Sequence, residues 1–280
     1  MTSIVVPAHN EERVLGRLLT ALFADARPGE LDVVVVANGC TDATAQVAAG
    51  FTGVRVLETP VPSKSAALRL GDEAATSFPR LYVDADVVLG AADVRALSEA
   101  VTRPGVLAAG PVRVLPMGGA EMRVRWYYDV WQRLPAVRDE LFGRGVVAVG
   151  EAGHARLGGW RDVMSDDLMV TVAFGADERL VAPGARVVVH PPRTYADLMR
   201  RRVRAMTGNA ELALGAPVAP GARPAPRTGL SDLARLAARR PASTPKVALF
   251  AATAALARLR ARRAVREGDR TWLRDESSRT

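Results

Sequence analysis

Four short runs rich in β-branched residues, Ser3 to Val6, Asp32 to Val36, Val54 to Leu57 and Leu81 to Val83, alternate with three stretches of helical apolar spacing. These stretches are Glu11 to Ala24, Thr41 to Ala49 and Ser63 to Thr76, and a polar residue able to cap a helix (Asn10, Thr41 or Ser63) stands at or near the start of each. Continuous apolar runs, without alternation, are the pattern of parallel strands covered on both faces. Right-handed crossovers then turn β-α-β-α-β-α-β into a doubly wound sheet. Ligands of such sheets bind beyond the carboxyl ends of the strands. The loops there read Pro7-Ala8-His9-Asn10-Glu11, Ala37 to Asp42, Pro60 to Lys64 and Asp84-Ala85-Asp86, and every one carries polar or turn-forming residues.

From Gly105 to Val189 the pattern is less regular. Strands are expected at Val106 to Val114, Val146 to Val149 and Val187 to Val189, with helices near Glu121 to Leu134 and Asp166 to Phe174. A helix over Tyr195 to Leu214 then meets Pro217, Pro220, Pro224 and Pro226, which interrupt hydrogen-bonded structure. Leu230 to Arg240 and Lys246 to Val265 read as basic helices. The expected organisation is residues 1–104 and 105–215 as two halves of one domain, 216–228 as a Pro-rich linker and 229–280 as a basic helical extension.

The net charge of +8 attracts something anionic, but Lys64 and Lys246 are the only lysines, so the excess is nearly all arginine and does not choose a partner. The single Cys40 excludes an internal disulfide and any multi-cysteine metal site, which makes the cytoplasm the default compartment. Ile4-Val5-Val6 runs straight into Pro7, as a strand and not as a leader peptide. The longest largely apolar stretch, Val247 to Ala257, is well short of the roughly 20 residues of a membrane-spanning helix.

Asp84 and Asp86 end a strand on one side of the chain, because alternate residues of an extended backbone share a face. Two hard oxygen ligands so placed suit Mg²⁺ or Mn²⁺ against a diphosphate. Alone, an Asp-x-Asp pair is more often a solvated turn; here it closes the fourth strand of a doubly wound sheet. The ordered set Val6 to Glu12, Val36 to Asp42, Lys64-Ser65-Ala66-Ala67-Leu68, Asp84-Ala85-Asp86, Gly158-Gly159-Trp160 and Ser165-Asp166-Asp167-Leu168 resembles the family 2 glycosyltransferases of GT-A fold over residues 1 to 210.

The resemblance implies a nucleotide diphosphate sugar donor, Mn²⁺ or Mg²⁺, and inversion at the anomeric carbon. It puts Pro7, His9 and Glu11 around the nucleoside, Asn38 near the base, Lys64 near the donor, Asp84 by the ribose or metal and Asp86 on the metal. It makes 105–215 the acceptor-side half, and Asp167 of the Asp166-Asp167 pair the base that deprotonates the acceptor hydroxyl. The competing reading has both aspartates merely favouring a helix N-terminus. Gly158 and Gly159 allow close approach of backbone to sugar, with Trp160 as a stacking surface. His190, at a strand end, completes the metal site or is an ordinary surface histidine. The family's acidic residues before the loop glycine are here Ala37 and Asn38, its Gly before the lysine is Ser63, and its Asn after Ala-Leu is Arg69. Cys40 stands where Ser is common. The processive branch's Gln-x-x-Arg-Trp run does not occur, so a single transfer per encounter is expected.

Arg200 and Arg204 share a helical face that can clamp a diphosphate or a lipid-linked acceptor, or can simply be solvated. Trp126, Tyr127, Tyr128 and Trp131 read first as packing residues. Two rivals remain at this point. One is a Mg-dependent phosphohydrolase resembling the haloacid dehalogenase superfamily, built on Asp84, Asp86, Asp166 and Asp167. The other is a basic module that grips membrane or nucleic acid through the C-terminal arginines. Under the favoured reading nucleic acid is no partner, and the C-terminal Ala/Leu/Arg helices touch the inner membrane face peripherally.

Overall fold

The computed structural model describes residues 1–160, 169–170, 173–215, 228–267 and 277–279. Ser165, Asp166, Asp167 and nearly all of the Pro-rich segment lie outside them. In chain order the elements are β1 (Thr2–Ala8), α1 (Leu15–Phe23), β2 (Leu31–Asn38), α2 (Thr44–Ala49), β3 (Val54–Thr59), α3 (Lys64–Ala74), β4 (Arg80–Val83), β5 (Val87–Val88), α4 (Ala91–Ala100), β6 (Ala108–Val114), α5 (Met122–Trp131), α6 (Pro135–Arg138), β7 (Val146–Val149), α7 (Glu151–Leu157), β8 (Arg179–Val189), α8 (Tyr195–Gly215), α9 (Leu230–Arg239) and α10 (Thr244–Glu267).

The chain divides into two compact units. The first, built on Met1–Leu115 and Leu141–His190, holds an eight-stranded sheet in the order β3-β2-β1-β4-β7-β6-β8-β5. The four strands read from the sequence pair in parallel, β2 with β1 and β3, and β1 with β4. Beyond β4 the sheet is mixed: β7 runs antiparallel to β4 and β6, and β8 lies parallel to β6. β8 is longer than its apolar tail Val187 to Val189 announces. Its register against β6 shifts between Pro111 and Val112, skipping Pro183-Gly184-Ala185, and this irregularity hides the first half of the strand from pattern reading.

Alternation along β1 and β2 explains the two-sided core. Ile4, Val6, Val33 and Val35 face the α1 side with Leu15, Leu18, Leu19 and Leu22. Val34 and Val36 face the α3 side with Ala67, while Val5 meets Leu68. The four α1 leucines fall at i, i+3, i+4 and i+7 and are all fully buried; each contributes about 1.5–3 kcal/mol. Pro7 lies past Val5, where the β1–β4 ladder ends, a place where a residue without N–H costs little. Of the three expected caps only Ser63 acts as one, its Oγ accepting from Ala66 N at 3.2 Å. Asn10 and Thr41 are drawn into loop-to-loop bonds instead, so α1 and α2 begin later than their periodicity suggests.

The second unit takes residues 116–140 and the described residues from Pro191 on. This differs from the division drawn at 104/105 and 215, because the stretch carrying α5 packs with the C-terminal helices while β6, β7 and β8 belong to the sheet. Tyr127 of α5 is fully buried and stacks on Phe250 of α10 at 4.9 Å, with Tyr128 edge-on to it at 5.4 Å. Met199 and Val203 of α8 meet Ala257 and Ala261 of α10, whose small side chains let the helices approach closely. Tyr127 and Tyr128 are thus packing residues, as expected. α9 carries leucines along one side and buries none of its residues. Among the described residues no helix is long and apolar enough to cross a membrane.

α3 lies unusually close to the sheet. A Cβ on Gly71 would stand 2.4 Å from Val5 Cγ1 and 3.1 Å from Val36 Cγ2. Gly71→Ala should therefore cost about 1–3 kcal/mol, read as a lowered urea midpoint at unchanged m-value.

Candidate active site

The carboxyl ends of β1 and β2 are laced together. Asn10 adopts φ +54, a left-handed conformation that asparagine tolerates, and its Oδ1 accepts from Thr41 N at 2.7 Å. Glu12 N donates to Asp42 Oδ2 at 3.2 Å, and Glu12 Oε2 accepts from Ala43 N at 3.0 Å. Glu11, 9% exposed, donates its N–H to Thr44 Oγ1 at 2.7 Å. Asp42 Oδ1 accepts from Thr44 N at 3.1 Å and so satisfies the start of α2. The two loops are one hydrogen-bonded unit.

His9 Nδ1 lies 2.6 Å from Asn38 O, and since a carbonyl only accepts, this nitrogen carries the proton. The Asn38 side chain, expected near the base, is turned inward. It is 3% exposed, and its amide nitrogen donates to Ala8 O at 2.8 Å and Val36 O at 3.4 Å. The amide thus ties β2 to β1, and as placed it does not reach out to a base. Gly39 follows at φ +57, and a Cβ there would lie 2.7 Å from that of Pro62, so this loop closes only on glycine.

Lys64 opens α3 and reaches Asp84 at the end of β4, Nζ to Oδ1 2.6 Å, each side chain one third exposed. Asp84 N donates to Gly145 O at 2.7 Å. Gly145, φ +66, has no room for a Cβ, which would meet Val87 Cγ1 at 2.6 Å and Asp84 Oδ2 at 3.1 Å. Asp86 leads into β5, which pairs antiparallel with β8 through Val87 opposite Val189. Asp86 and His190 are thus the chain neighbours of one paired couple of residues, and two residues far apart in sequence flank the same end of this short ladder. Among the described residues no three or more His, Cys, Asp or Glu side chains gather as a metal-binding set.

Trp160, expected as a stacking surface, lies inward as well. It is 4% exposed and packs edge-on against Tyr82 at 4.5 Å, so its ring belongs to the core instead of forming an open stacking surface. Its carbonyl accepts from Arg69 at 2.9 Å, so the arginine that departs from the family pattern ties α3 to the segment after Gly158-Gly159. Behind it lies a polar cluster that sequence reading missed. Asp72 of α3 receives Tyr82 OH at 2.6 Å and Arg80 at 2.7 Å, and His154 Nε2 stands 2.6 Å from its other oxygen. Burial pushes the Asp72 carboxyl up, but the bonds from Tyr82, His154 and Arg80 outweigh it and hold the group below its usual range. Arg200 and Arg204 lie on α8 of the second unit, and Arg200 pairs with Asp197 one turn earlier.

A half-parallel sheet with an Asp-x-Asp just past the carboxyl end of its fourth strand, faced by a lysine, is the arrangement expected of a GT-A glycosyltransferase. The model of the family described as "Glycosyl transferase family 2" matches residues 3–157, more than half of the chain, and the chain belongs to that family. No curated protein sequence matches it. Among solved structures it is similar to the mannosyltransferase PcManGT of Pyrobaculum calidifontis in complex with GDP-Man and Mn²⁺, at TM-score 0.61 and 21% identity over 99% of this chain and 84% of that one. Glucosyl-3-phosphoglycerate synthase of Mycobacterium tuberculosis, in complex with Mn²⁺, UDP-Glc and phosphoglyceric acid, follows at TM-score 0.52 and 19% identity over 75% and 80%. At these identities the likeness concerns the fold. The protein is a glycosyltransferase, and the phosphohydrolase and binding-module readings find no support.

The Asp72 cluster has a pH consequence. With its pKa depressed below the ordinary 3.8, Asp72 contributes stability that is present above that value and is lost as pH falls through the lower folded one. The stability gap between the wild type and Asp72→Asn should be constant near neutrality and shrink below about pH 4, as urea titrations at stepped pH would read.

Proposed function

We propose that the enzyme transfers a sugar, with inversion, from a nucleoside diphosphate donor to an acceptor hydroxyl, one transfer per encounter. The observation that carries this reading is the Lys64–Asp84 pair at the end of β4, with Asp86 and His190 flanking one end of the β5–β8 ladder. A cationic side chain at one strand end, and a carboxylate and an imidazole flanking one ladder end, suit a pyrophosphate and a divalent cation. Asp86 and His190 fit Mn²⁺ or Mg²⁺, with diphosphate oxygens supplying further ligands. Such a cation, when bound, neutralises charge on the departing diphosphate.

The chain's own residues do the rest. Lys64 exchanges Asp84 for a donor phosphate. The loop holding His9 and Glu11, pinned to its neighbour, presents a rigid wall to the nucleoside, with Pro7 at its root. Asp84, released from Lys64, turns to the ribose or the cation. Asp167, which lies outside the described residues, takes the acceptor proton on the family resemblance alone, with Asp166 beside it. Arg200 and Arg204 contribute charge toward the donor diphosphate or a lipid-linked acceptor.

Peripheral contact with the inner membrane face belongs to the same proposal. Leu230 is 84%, Leu259 62% and Leu256 39% exposed on α9 and α10, and Arg258, Arg260 and Arg262 are exposed beside them. Leucine and arginine mixed on exposed helices suit an anionic bilayer surface. The enzyme should float with vesicles containing anionic lipid, and Leu230→Glu with Leu259→Glu should abolish it; flotation unaffected by these changes would remove the membrane role.

A panel of nucleotide sugars, assayed with chelator and with Mn²⁺ or Mg²⁺ restored, tests the reaction. Asp86→Ala should lower kcat/KM by about 10³-fold and lose metal-dependent donor binding, whereas Asp167→Asn should keep donor affinity while kcat falls by a similar factor. Normal turnover in either variant sinks the corresponding role.

A further inference from the structure

A cleft of about 530 Å³ opens in the second unit, lined by the Met117-Gly118 turn, one side of α5 and the first turn of α10. None of the residues assigned to sugar transfer lines it. Arg125, Asp129 and Gln132 succeed one another at i, i+4 and i+7 and so share a helical face, and Lys246 joins them from α10. Of the four-aromatic window only Trp126 lines the cleft, since Tyr127 and Tyr128 are buried and Trp131 packs edge-on to Tyr128.

The polar groups are held in place. Asp129 accepts from Lys246 Nζ at 2.7 Å and from Arg133 at 2.7 Å, and Arg125 Nε donates to Ala120 O at 2.9 Å. Lys246 is also one of only two lysines in an arginine-rich chain, the other being Lys64 of the donor site. An ammonium reaches into a cleft as a compact point charge where a planar guanidinium demands more width.

We propose that this cleft binds an acidic saccharide. A pocket for an apolar ligand is lined mainly by hydrophobic side chains with a few polar groups; here four of the seven lining residues, Arg125, Asp129, Gln132 and Lys246, carry charged or amide side chains. One indole offers a flat apolar surface of the size of a pyranose C–H face, and donors and acceptors surround it for ring hydroxyls. Two cations among the lining residues, with Arg133 behind Asp129, outnumber the one carboxylate and select a negatively charged ring substituent. The positive charge comes from the flank of α5 and from Lys246 in the first turn of α10, so inorganic phosphate is the control that separates a saccharide site from a simple anion site. The inference is independent of the transfer reaction and stands or falls without it.

Calorimetric titration of the full-length chain with tetragalacturonate, with maltotetraose and with inorganic phosphate tests the proposal. Tetragalacturonate should bind and the other two should bind at least roughly tenfold more weakly, and Trp126→Ala and Lys246→Ala should each weaken tetragalacturonate by roughly tenfold or more. Gln132→Ala, a change at an exposed position, should weaken it by a smaller factor while leaving the melting temperature unchanged. Equal binding of maltotetraose removes the requirement for acid, and equal binding of phosphate reduces the cleft to an anion site. No binding of tetragalacturonate, or binding indifferent to all three substitutions, overturns the proposal outright.

Discussion

Two carboxylates end β4 within three residues, and the rim of the sheet is arranged around the negative charge they concentrate there. Lys64 answers one of them at 2.6 Å. Both partners are one third exposed, and an ion pair in that setting contributes at most about 1 kcal/mol to folding. Such a pair locks nothing; it keeps a lysine and an aspartate in reach of each other and of whatever arrives between them. The fold relies instead on the backbone below. Asp84 N is bonded to Gly145 O, and a side chain at Gly145 would collide with Val87 and crowd Asp84.

The same closeness recurs at Gly39 and Gly71, where backbone touches backbone or β-branched side chains with no space for a methyl group. Each contact joins an element that carries a site residue to its neighbour: the β2 loop to Pro62, α3 to β1 and β2. Lys64 is consequently placed by a helix seated directly on the strands that end in His9 and Asn38. Rigid elements hold a constellation more closely than free loops do, and where loops are used here, between Asn10 and Thr44, they are bonded to one another.

The second unit shows how polar and apolar demands divide one helix. α5 buries Tyr127 and Tyr128 against the α10 side and turns Arg125, Asp129 and Gln132 toward a cleft, while Trp126 stands at the edge between them. Aromatic crowding in sequence therefore carried two meanings, core and cleft, that only the helical phase separates. Family membership extends over residues 3–157, so it covers α5 as well as the sheet strands up to β7.

The parallel half of the sheet, its helices and the polar strand ends were legible in the chain because strands buried on both faces need uninterrupted apolar runs, and such runs are visible without any partner. The Asp84-Asp86 pair was legible as a motif at the close of the fourth strand but not in its geometry: β4 ends at Val83, Ala85 and Asp86 form a turn, and Val87 N bonds back to Asp84 O, so the two carboxylates do not sit on one extended segment. Side-chain fate was not legible either. Asn38 looked like a reader of bases, yet its amide closes β1 to β2; Trp160 looked like a platform, yet it fills the core against Tyr82. The flanking glycines of Gly143-Arg144-Gly145 were a visible signal of a constrained turn that pattern reading passed over. Asp72, His154, Arg80 and Tyr82 carry no common motif, and they meet because α3, β4 and α7 pack together. Asp86 and His190 come to the same ladder end in the same way, from the register between β5 and the late strand β8. Local periodicity specifies which elements form; which polar atoms they bring within reach depends on pairing between residues far apart in the chain, and that is decided only when the strands are in register.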